Sequence, residues 1–170
     1  MDRMIPILRL AGAADLPAVQ AINAEAAPGV SPLSKRDLET MLQTATRFWV
    51  AEIGGRVAGY LLAFTAEADY AGDEFLWFAA QGQDFLYVDQ VAIAAGQRGR
   101  GLGGRLYAEG SRWAKARRLT RLTCEVNLRP ENPGSLRFHR RQGFREVGQI
   151  ETADGRLVSL QSKTLTANGR

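Results

Sequence analysis

The feature that most constrains this chain is a glycine-rich segment, residues 97–104, which lies between a strand pattern and a helix pattern. Before it, Phe85–Ile93 is an apolar and β-branched run that is typical of a strand. After it, residues 102–119 carry apolar side chains at helical spacing. Glycines let backbone N–H groups approach a ligand closely, and a helix start adds partial positive charge. With Arg98 and Arg100 in it, the segment predicts a binding site for pyrophosphate.

Three phosphate-binding motifs compete for this segment. The P-loop motif requires a lysine, and residues 97–104 contain none. The dinucleotide motif G-x-G-x-x-G is present as Gly99, Gly101 and Gly104. That motif should follow its strand directly, however, and Glu125 is poorly placed as the acid that binds ribose. The third form, Q/R-x-x-G-x-G/A, is matched within Gln97–Gly103, where Arg98, Gly101 and Gly103 take its fixed positions.

Periodicity and turn signals predict one mixed α/β domain over residues 1–170. Helices are expected over residues 14–26 and, with Ser34 as cap, up to about residue 46. The Gly-Gly pair at 54–55 predicts a hairpin, and residues 66–84 are expected to form a long loop. The predicted order is β-α-α-β-β-β-α-β-α-β-β, with strands at 5–10, 47–53, 56–65, 85–93, 121–126, 144–150 and 156–163 and later helices at 102–119 and 132–142.

Composition excludes several kinds of site. The single cysteine, Cys124, excludes an intrachain disulfide framework and a zinc cluster of paired cysteines. The single histidine, His139, excludes a multi-histidine site, so no metal is expected. No apolar run reaches the length of about eighteen residues that a membrane span needs, and no signal peptide is recognised. A cytoplasmic protein without a membrane partner is therefore expected.

The net charge of +4 is unevenly distributed. Residues 97–145 contain thirteen Arg or Lys side chains against three acidic ones, and acidic side chains predominate elsewhere. No Lys or Arg lies between Arg56 and Arg98. We therefore expect one part of the chain to bind an anion and another part to bind a cation. The basic helix lacks interleaved aromatic residues, so no nucleic-acid partner is expected.

Two motifs, in the same order, resemble the GNAT superfamily of acetyl-CoA-dependent N-acetyltransferases. The first is the Q/R-x-x-G-x-G/A match within Gln97–Gly103. The second runs from Asn132 to Phe144 and is similar to the family's N-x-x-A-x-x-F-Y-x-x-x-G-F, with Pro133 and Gly143 as helix boundaries. The resemblance implies an acyl-CoA N-acyltransferase-like fold. This is a mixed, mostly antiparallel central sheet of about seven strands with flanking helices.

The resemblance also implies where acetyl-CoA would bind as cosubstrate. The strands Phe85–Ile93 and 121–126 would splay apart to admit the pantetheine arm, and two residues would offer it backbone groups as an extra strand would. The residues near the pantetheine would be Val91, Ile93, Asn127, Asn132 and Ser135. The pyrophosphate would be held by the backbone amides of Arg98, Gly99, Arg100, Gly101, Leu102, Gly103 and Gly104.

Acetyl transfer to an amine requires a neutral amine, a donor for the oxyanion and sometimes a proton for the thiolate. Asp89 lies two residues before Val91 on the same strand face, where family members often carry a glutamate that deprotonates the amine. It is a candidate base or amine-binding group, or else a carboxylate that pairs with an arginine or caps a loop. His139 takes the place of the family's proton-donating tyrosine. It is a candidate acid or a donor that orients the thiol, or else a histidine with only a structural role.

The remaining candidates have two interpretations each. Residues 66–84 are expected to border the acceptor site, with acids that attract an amine and aromatic residues that cover it. The alternative is a solvated loop whose aromatic residues pack into the core. Tyr87 either lines the acceptor pocket or is a half-buried strand residue. Cys124 is expected to be a buried strand residue and not a nucleophile.

The predicted function is transfer of an acetyl group from acetyl-CoA to a primary amine of a small molecule or peptide, by direct attack in a ternary complex. The first alternative is a non-catalytic acyl-CoA-binding sensor, because His139 replaces the usual tyrosine. A dinucleotide-dependent oxidoreductase is a more distant alternative. The chain is expected to act as a monomer or a homodimer.

Overall fold

Seven strands form the sheet of this computed structural model, which describes residues 4–166. Their order is β1-β2-β3-β4-β5-β7-β6. The pairs β1–β2, β2–β3, β5–β7 and β6–β7 are antiparallel, and β4–β5 is parallel. The predicted mixed, mostly antiparallel sheet is thus confirmed. The strands are β1 Ile7–Leu10, β2 Arg47–Ile53, β3 Arg56–Thr65, β4 Phe85–Ile93, β5 Arg121–Arg129, β6 Arg145–Glu151 and β7 Leu157–Thr164.

All four predicted helices are present, with end points that differ by a few residues. The capping box at Ser34 is confirmed, because its Oγ accepts from the N–H of Asp37 at 3.0 Å and its own N–H donates to the Asp37 carboxylate at 2.8 Å. The first helix is preceded by a short 3-10 turn at Ala13–Asp15. The α-helices are α1 Leu16–Ala26, α2 Lys35–Thr44, α3 Asp73–Gln81, α4 Leu102–Ala116 and α5 Pro133–Arg141.

The prediction of a long loop over residues 66–84 is wrong, because α3 lies inside it. Phe75 and Phe78 share one face of this helix, and both rings pack against Phe85 and Tyr87 of β4 at centroid distances of 5.7 to 6.4 Å. Packing of this aromatic face stabilises a helix too short to form by itself.

The predicted end of α4 is also wrong by three residues. The helix ends at Ala116 and not at residue 119. Arg118 has a φ of +62°, and the N–H of Leu119 donates back to Ala114 O at 3.0 Å. A left-handed residue stops the helix because it turns the chain away from the helix axis.

Two compact units are distinguished by their internal contacts. The first unit runs to Ala63 and takes up again at Gln90–Glu109, and the second is Phe64–Asp89 with the chain from Gly110 onwards. One domain over the whole chain therefore stays a prediction. The core of the first unit consists of Leu16, Val19, Ile22, Leu38, Phe48, Val50, Tyr60, Leu62 and Ala92.

Candidate active site

The glycine-rich segment is an exposed turn ahead of α4. Gly99 and Gly101 have φ angles of +77° and +79°, and a Cβ on either would meet no atom within 4 Å. Both positions therefore favour glycine for its backbone conformation and leave open space beside the chain. The first turn of α4 closes with a hydrogen bond from Arg105 N–H to Gly101 O at 3.1 Å. The preceding N–H groups at a helix start have no intrahelical acceptor, which suits them to an anion.

The other residues of the segment differ in exposure. Arg98 and Arg100 are exposed, whereas Gly103 and Gly104 lie half-buried in the first turn of α4. Leu102 is only 2% exposed, so its side chain belongs to the core. Any contact of this residue with phosphate would therefore be made by its backbone N–H.

Val91 and Ile93 lie half-buried in the second half of β4. The Nε of Arg98 donates to the carbonyl oxygen of Ile93 at 3.2 Å. The carbonyl that is predicted to meet the pantetheine thus already accepts one hydrogen bond. A carbonyl oxygen has two lone pairs, so this bond leaves capacity for a second donor.

The parallel ladder of β4 and β5 is short. It runs from the pair Phe85–Arg121 to the pair Tyr87–Thr123, although both strands continue. The divergence of the two strands beyond these pairs stays a prediction. Asp89 follows the paired part of β4.

Asp89 is held by a tyrosine. The hydroxyl of Tyr70 donates to its Oδ1 at 2.7 Å. Burial raises the pKa of Asp89 to about 6. The Tyr70 hydrogen bond opposes this rise in pKa, the charge of Glu74 adds to it, and that of Arg156 opposes it. A carboxyl group with a pKa near 6 is ionised at neutral pH and is still basic enough to accept a proton from an amine.

Glu125 on β5 forms a second carboxyl–tyrosine pair, which the sequence analysis did not assign to the site. The hydroxyl of Tyr87 donates to its Oε2 at 2.5 Å. Burial raises the pKa of Glu125 well above its usual value, and the negative charge of Asp89 adds to the rise. The two carboxyl groups therefore disfavour each other's ionisation and titrate as a pair. The signal that could have found Glu125 is a carboxylate within a buried strand, which is the signal that singled out Asp89.

A salt bridge between α3 and the turn before β7 adds a third carboxylate. The Nη2 of Arg156 donates to Glu74 Oε1 at 3.1 Å, and Glu74 is 6% exposed. The Nη1 of the same arginine donates to Asn127 Oδ1 at 3.1 Å. No sequence pattern connects Glu74 with Arg156, because 82 residues separate them and only the tertiary fold brings them together.

The aromatic residues of 66–84 pack into the core. Tyr70 stacks on Phe64 at 4.3 Å between ring centroids and contacts Phe75 edge-on at 5.4 Å. Tyr87 is fully buried. Of the two interpretations of this segment, the structure supports core packing for these aromatic rings, while Tyr70 and Tyr87 also use their hydroxyl groups to hold the two carboxyl groups.

His139 in α5 is 4% exposed. Its Nδ1 lies 2.8 Å from Ser135 O and 3.2 Å from Ser135 Oγ. A carbonyl oxygen only accepts, so Nδ1 carries a hydrogen in this arrangement. Burial lowers the pKa of His139, although the bond to Ser135 O acts the other way, so the ring is mostly neutral at pH 7.

Asn132 and Ser135 also have roles within α5. The Oδ1 of Asn132 accepts from Ser135 N–H at 3.3 Å, so Asn132 caps the helix as its sequence position indicates. The predicted contacts of Asn132, Ser135 and Asn127 with pantetheine stay predictions.

Two kinds of feature are absent from the described part of the chain. Residues 4–166 contain no group of three or more His, Cys, Asp and Glu side chains suited to hold a metal ion. Over the same residues, no helix combines the length and the apolar character needed to cross a membrane. Cys124 is buried in β5.

Comparison with known proteins supplies the family. Residues 16–144 match the acetyltransferase (GNAT) family, whereas no curated protein sequence matches the chain. In structure the chain is similar to the ribosomal-protein-S18-alanine N-acetyltransferase from Escherichia coli, at 17% sequence identity and a TM-score of 0.72 over 98% of this chain and 97% of that one.

Two further solved structures have the same fold. Ard1 from Thermoplasma volcanium has a TM-score of 0.77 at 14% identity, over 95% of this chain and 98% of that one. YncA from Salmonella typhimurium, solved with its cofactor acetyl-CoA, has a TM-score of 0.69 at 17% identity, over 98% of this chain and 97% of that one. The family match decides against a dinucleotide-binding domain, since it includes the glycine-rich segment and covers most of the chain. This protein belongs to the acetyltransferase (GNAT) family.

Proposed function

We propose that the protein transfers an acetyl group from acetyl-CoA to a primary amine of a small molecule or peptide, by direct attack in a ternary complex. Family membership supports acyl transfer, and the acetyl-CoA bound to YncA supports the donor. An amine as acceptor is supported by one observation. The carboxyl group of Asp89 has a pKa of about 6 and interacts with Glu74 and Glu125.

The carboxyl groups of Asp89, Glu74 and Glu125 would attract an ammonium group, and Asp89 would prepare it for attack. Asp89 accepts a proton from the ammonium, directly or through water, and the electron pair stays on nitrogen. The nitrogen attacks the thioester carbonyl carbon, the C–N bond forms, and the C–S bond breaks as the tetrahedral intermediate collapses. The nitrogen loses its second proton and the leaving thiolate gains one, so the products are the N-acetylated amine and the thiol of CoA. A backbone N–H on the diverging strands would stabilise the oxyanion.

The glycine-rich segment would hold the donor. Glycine at positions 99 and 101 leaves space for phosphate oxygens beside the backbone, and the start of α4 supplies N–H groups and partial positive charge. Arg98 and Arg100 add full charges in exposed positions. Because Arg98 and Arg100 are exposed, we expect the affinity for acetyl-CoA to depend on its pyrophosphate and to fall as the salt concentration rises.

Two measurements test the proposal. Acetyl-CoA should raise the melting temperature, because a ligand that binds only the folded state stabilises it. NAD should have no such effect. Acetyl-CoA with a panel of primary amines should release free thiol, at a rate that saturates with one of the amines. No melting shift with acetyl-CoA would refute the proposal.

A second candidate function is an acyl-CoA-binding sensor without turnover. The observation that favours it is His139, a buried and largely neutral ring at the position where the family has a proton-donating tyrosine. A melting shift with acetyl-CoA, together with no thiol release for small amines or peptides, would support the sensor over the transferase.

Replacement of His139 by phenylalanine tests its role as acid. Burial lowers the pKa of His139, so the protonated ring becomes scarce as the pH rises through neutrality. We therefore expect the ratio of wild-type to variant thiol-release rates to be largest at the acidic end of the range in which both proteins are folded, and to fall toward unity as the pH rises through neutrality. This ratio cancels the titration of Asp89, which both proteins share. A ratio that does not change with pH would argue for a structural role only.

A further inference from the structure

Arg156 joins three elements of the second unit. It lies in the turn between β6 and β7 and uses every part of its guanidinium group. Its Nη2 contacts Glu74 of α3 and its Nη1 contacts Asn127 of β5, each at 3.1 Å. Its Nε donates to both carboxylate oxygens of Asp154, at 3.0 and 3.1 Å. The planar fork of arginine suits such a junction, because it presents five N–H donors in fixed directions.

A second bond ties the same turn to α3. The N–H of Ala153 donates to Asp73 Oδ2 at 2.9 Å. Asp73 and Glu74 are the first two residues of α3, so both bonds act on its first turn. The turn therefore holds the start of α3 in place, and with it the carboxylate of Glu74.

The charges around the carboxyl groups of Asp89 and Glu125 are unbalanced. Glu74 adds a third negative charge, and its field raises the pKa of both groups. The positive charge of Arg156 lowers the pKa of both. The remaining polar groups around them are Tyr70 and Tyr87, which donate to the two carboxyl groups, and Asn127 and Asp154, which bind Arg156.

We infer that Arg156 is a positioning residue for the proposed acetyl transfer: it holds Glu74 and Asn127 in place and supplies positive charge that keeps the carboxyl pair able to ionise. This role rests on the proposed function, because the carboxyl pair must be ionised to take a proton from the amine. In that step an N–H bond of the ammonium breaks, the proton ends on the Asp89 carboxylate, and the electron pair remains on nitrogen. Arg156 itself exchanges no proton.

Two substitutions in the same salt bridge separate this role from a purely structural one. Arg156→Gln and Glu74→Gln both break the bond between α3 and the turn, but they remove opposite charges. If Arg156 only holds the structure together, Arg156→Gln should leave the pH midpoint unchanged, although Glu74→Gln still lowers it through loss of the Glu74 charge. If its charge acts on the carboxyl pair, the two profiles should move in opposite directions.

The expected result is a pH shift of opposite sign in the two variants. The midpoint of the rise in kcat/KM with pH should move up by roughly half a unit to one unit in Arg156→Gln, and down by a similar amount in Glu74→Gln. The first change removes a positive charge that acts on the pair, and the second removes a negative one. Arg156→Lys keeps the charge but lacks the planar guanidinium group that binds Glu74 and Asn127. Its pH midpoint should therefore stay near the wild-type value, while KM for the amine rises.

Arg129→Gln is the matched control. Arg129 is exposed, pairs with exposed Glu151 at 3.5 Å, and donates to Gly155 O in the same turn at 3.2 Å. Arg129→Gln also removes one positive charge and one bond to the same turn. Because Arg129 is exposed, we expect no effect on the pKa of Asp89 or Glu125. Its pH midpoint should stay within about 0.2 units of the wild type.

Carboxyl-carbon NMR titration of Asp89 and Glu125 in the same variants gives a readout that does not depend on activity. If the wild type releases no thiol with any amine, the proposed function fails, and the NMR titration still decides the role of Arg156. Shifts of one sign in both glutamine variants, or no shift in folded protein, would overturn the inference. If Arg156→Gln does not fold, Arg156→Met decides, because it keeps most of the aliphatic side chain without the charge: a raised midpoint supports the inference and an unchanged one refutes it.

Discussion

Replacement of Asp89 by asparagine is expected to lower kcat/KM for the amine about a hundredfold at pH 7. The wild-type carboxyl group has a pKa of about 6, so its proton-accepting form grows as the pH rises through that value. Wild-type activity should therefore rise through about pH 6 and then level off. An amide accepts no proton at these pH values, so activity of the variant should appear only as the amine loses its proton unaided. Thiol release measured between about pH 5 and pH 9, with saturating acetyl-CoA, reports both effects.

Two variants control for charge and for shape. Glu67→Gln removes an exposed carboxylate from the segment that also holds Tyr70, and it should leave the profile unchanged. Asp89→Glu keeps a carboxyl group and should retain a rising profile. A folded Asp89→Asn variant with the wild-type rate and profile would contradict the assignment of Asp89 as base. If the rise in activity with pH were lost in Glu125→Gln but kept in Asp89→Asn, the base would be Glu125.

Replacement of Gly101 by valine is expected to weaken acetyl-CoA binding at least tenfold. Gly101 has a φ of +79°, where a β-branched residue is strained. The left-handed conformation costs an ordinary residue about 1–2 kcal/mol, and tenfold in affinity corresponds to about 1.4 kcal/mol. The chain would relieve this strain by moving the backbone that leads into α4. Isothermal titration of acetyl-CoA into the variant measures the loss.

Gly96→Ala provides the comparison within the same turn region. A Cβ at Gly96 also meets no atom within 4 Å, but its backbone is not left-handed. Its affinity for acetyl-CoA should therefore equal that of the wild type. Wild-type affinity in a folded Gly101→Val variant would show that the backbone conformation of this segment does not hold the donor.

Local signals in the sequence predicted much of the fold. The Gly-Gly pair between β2 and β3 takes φ angles of +57° and +78°, as the predicted tight hairpin requires. Ser34 and Asn132 cap their helices through neighbours three residues away. Each of these signals depends on residues within one turn of each other, so the local sequence contains the whole interaction.

The two errors in the helices have different causes. The helix α3 was missed because its stability comes from packing of Phe75 and Phe78 on β4. The last turn of α4 was misplaced because Arg118 adopts a left-handed conformation that arginine does not signal. Neither error concerned the glycine-rich segment, whose signal is local.

The sequence by itself determined the family, the strand–glycine–helix segment, and Asp89 as a candidate base. These features depend on the types of residues that lie close together in the sequence. Backbone conformation and the alternation of side chains along a strand follow directly from such residues. Only the tertiary structure joined Glu125 to Tyr87, and Glu74 to Arg156. It also decided the state of Asp89, because the pKa of a carboxyl group depends on burial and on charges supplied by distant parts of the chain.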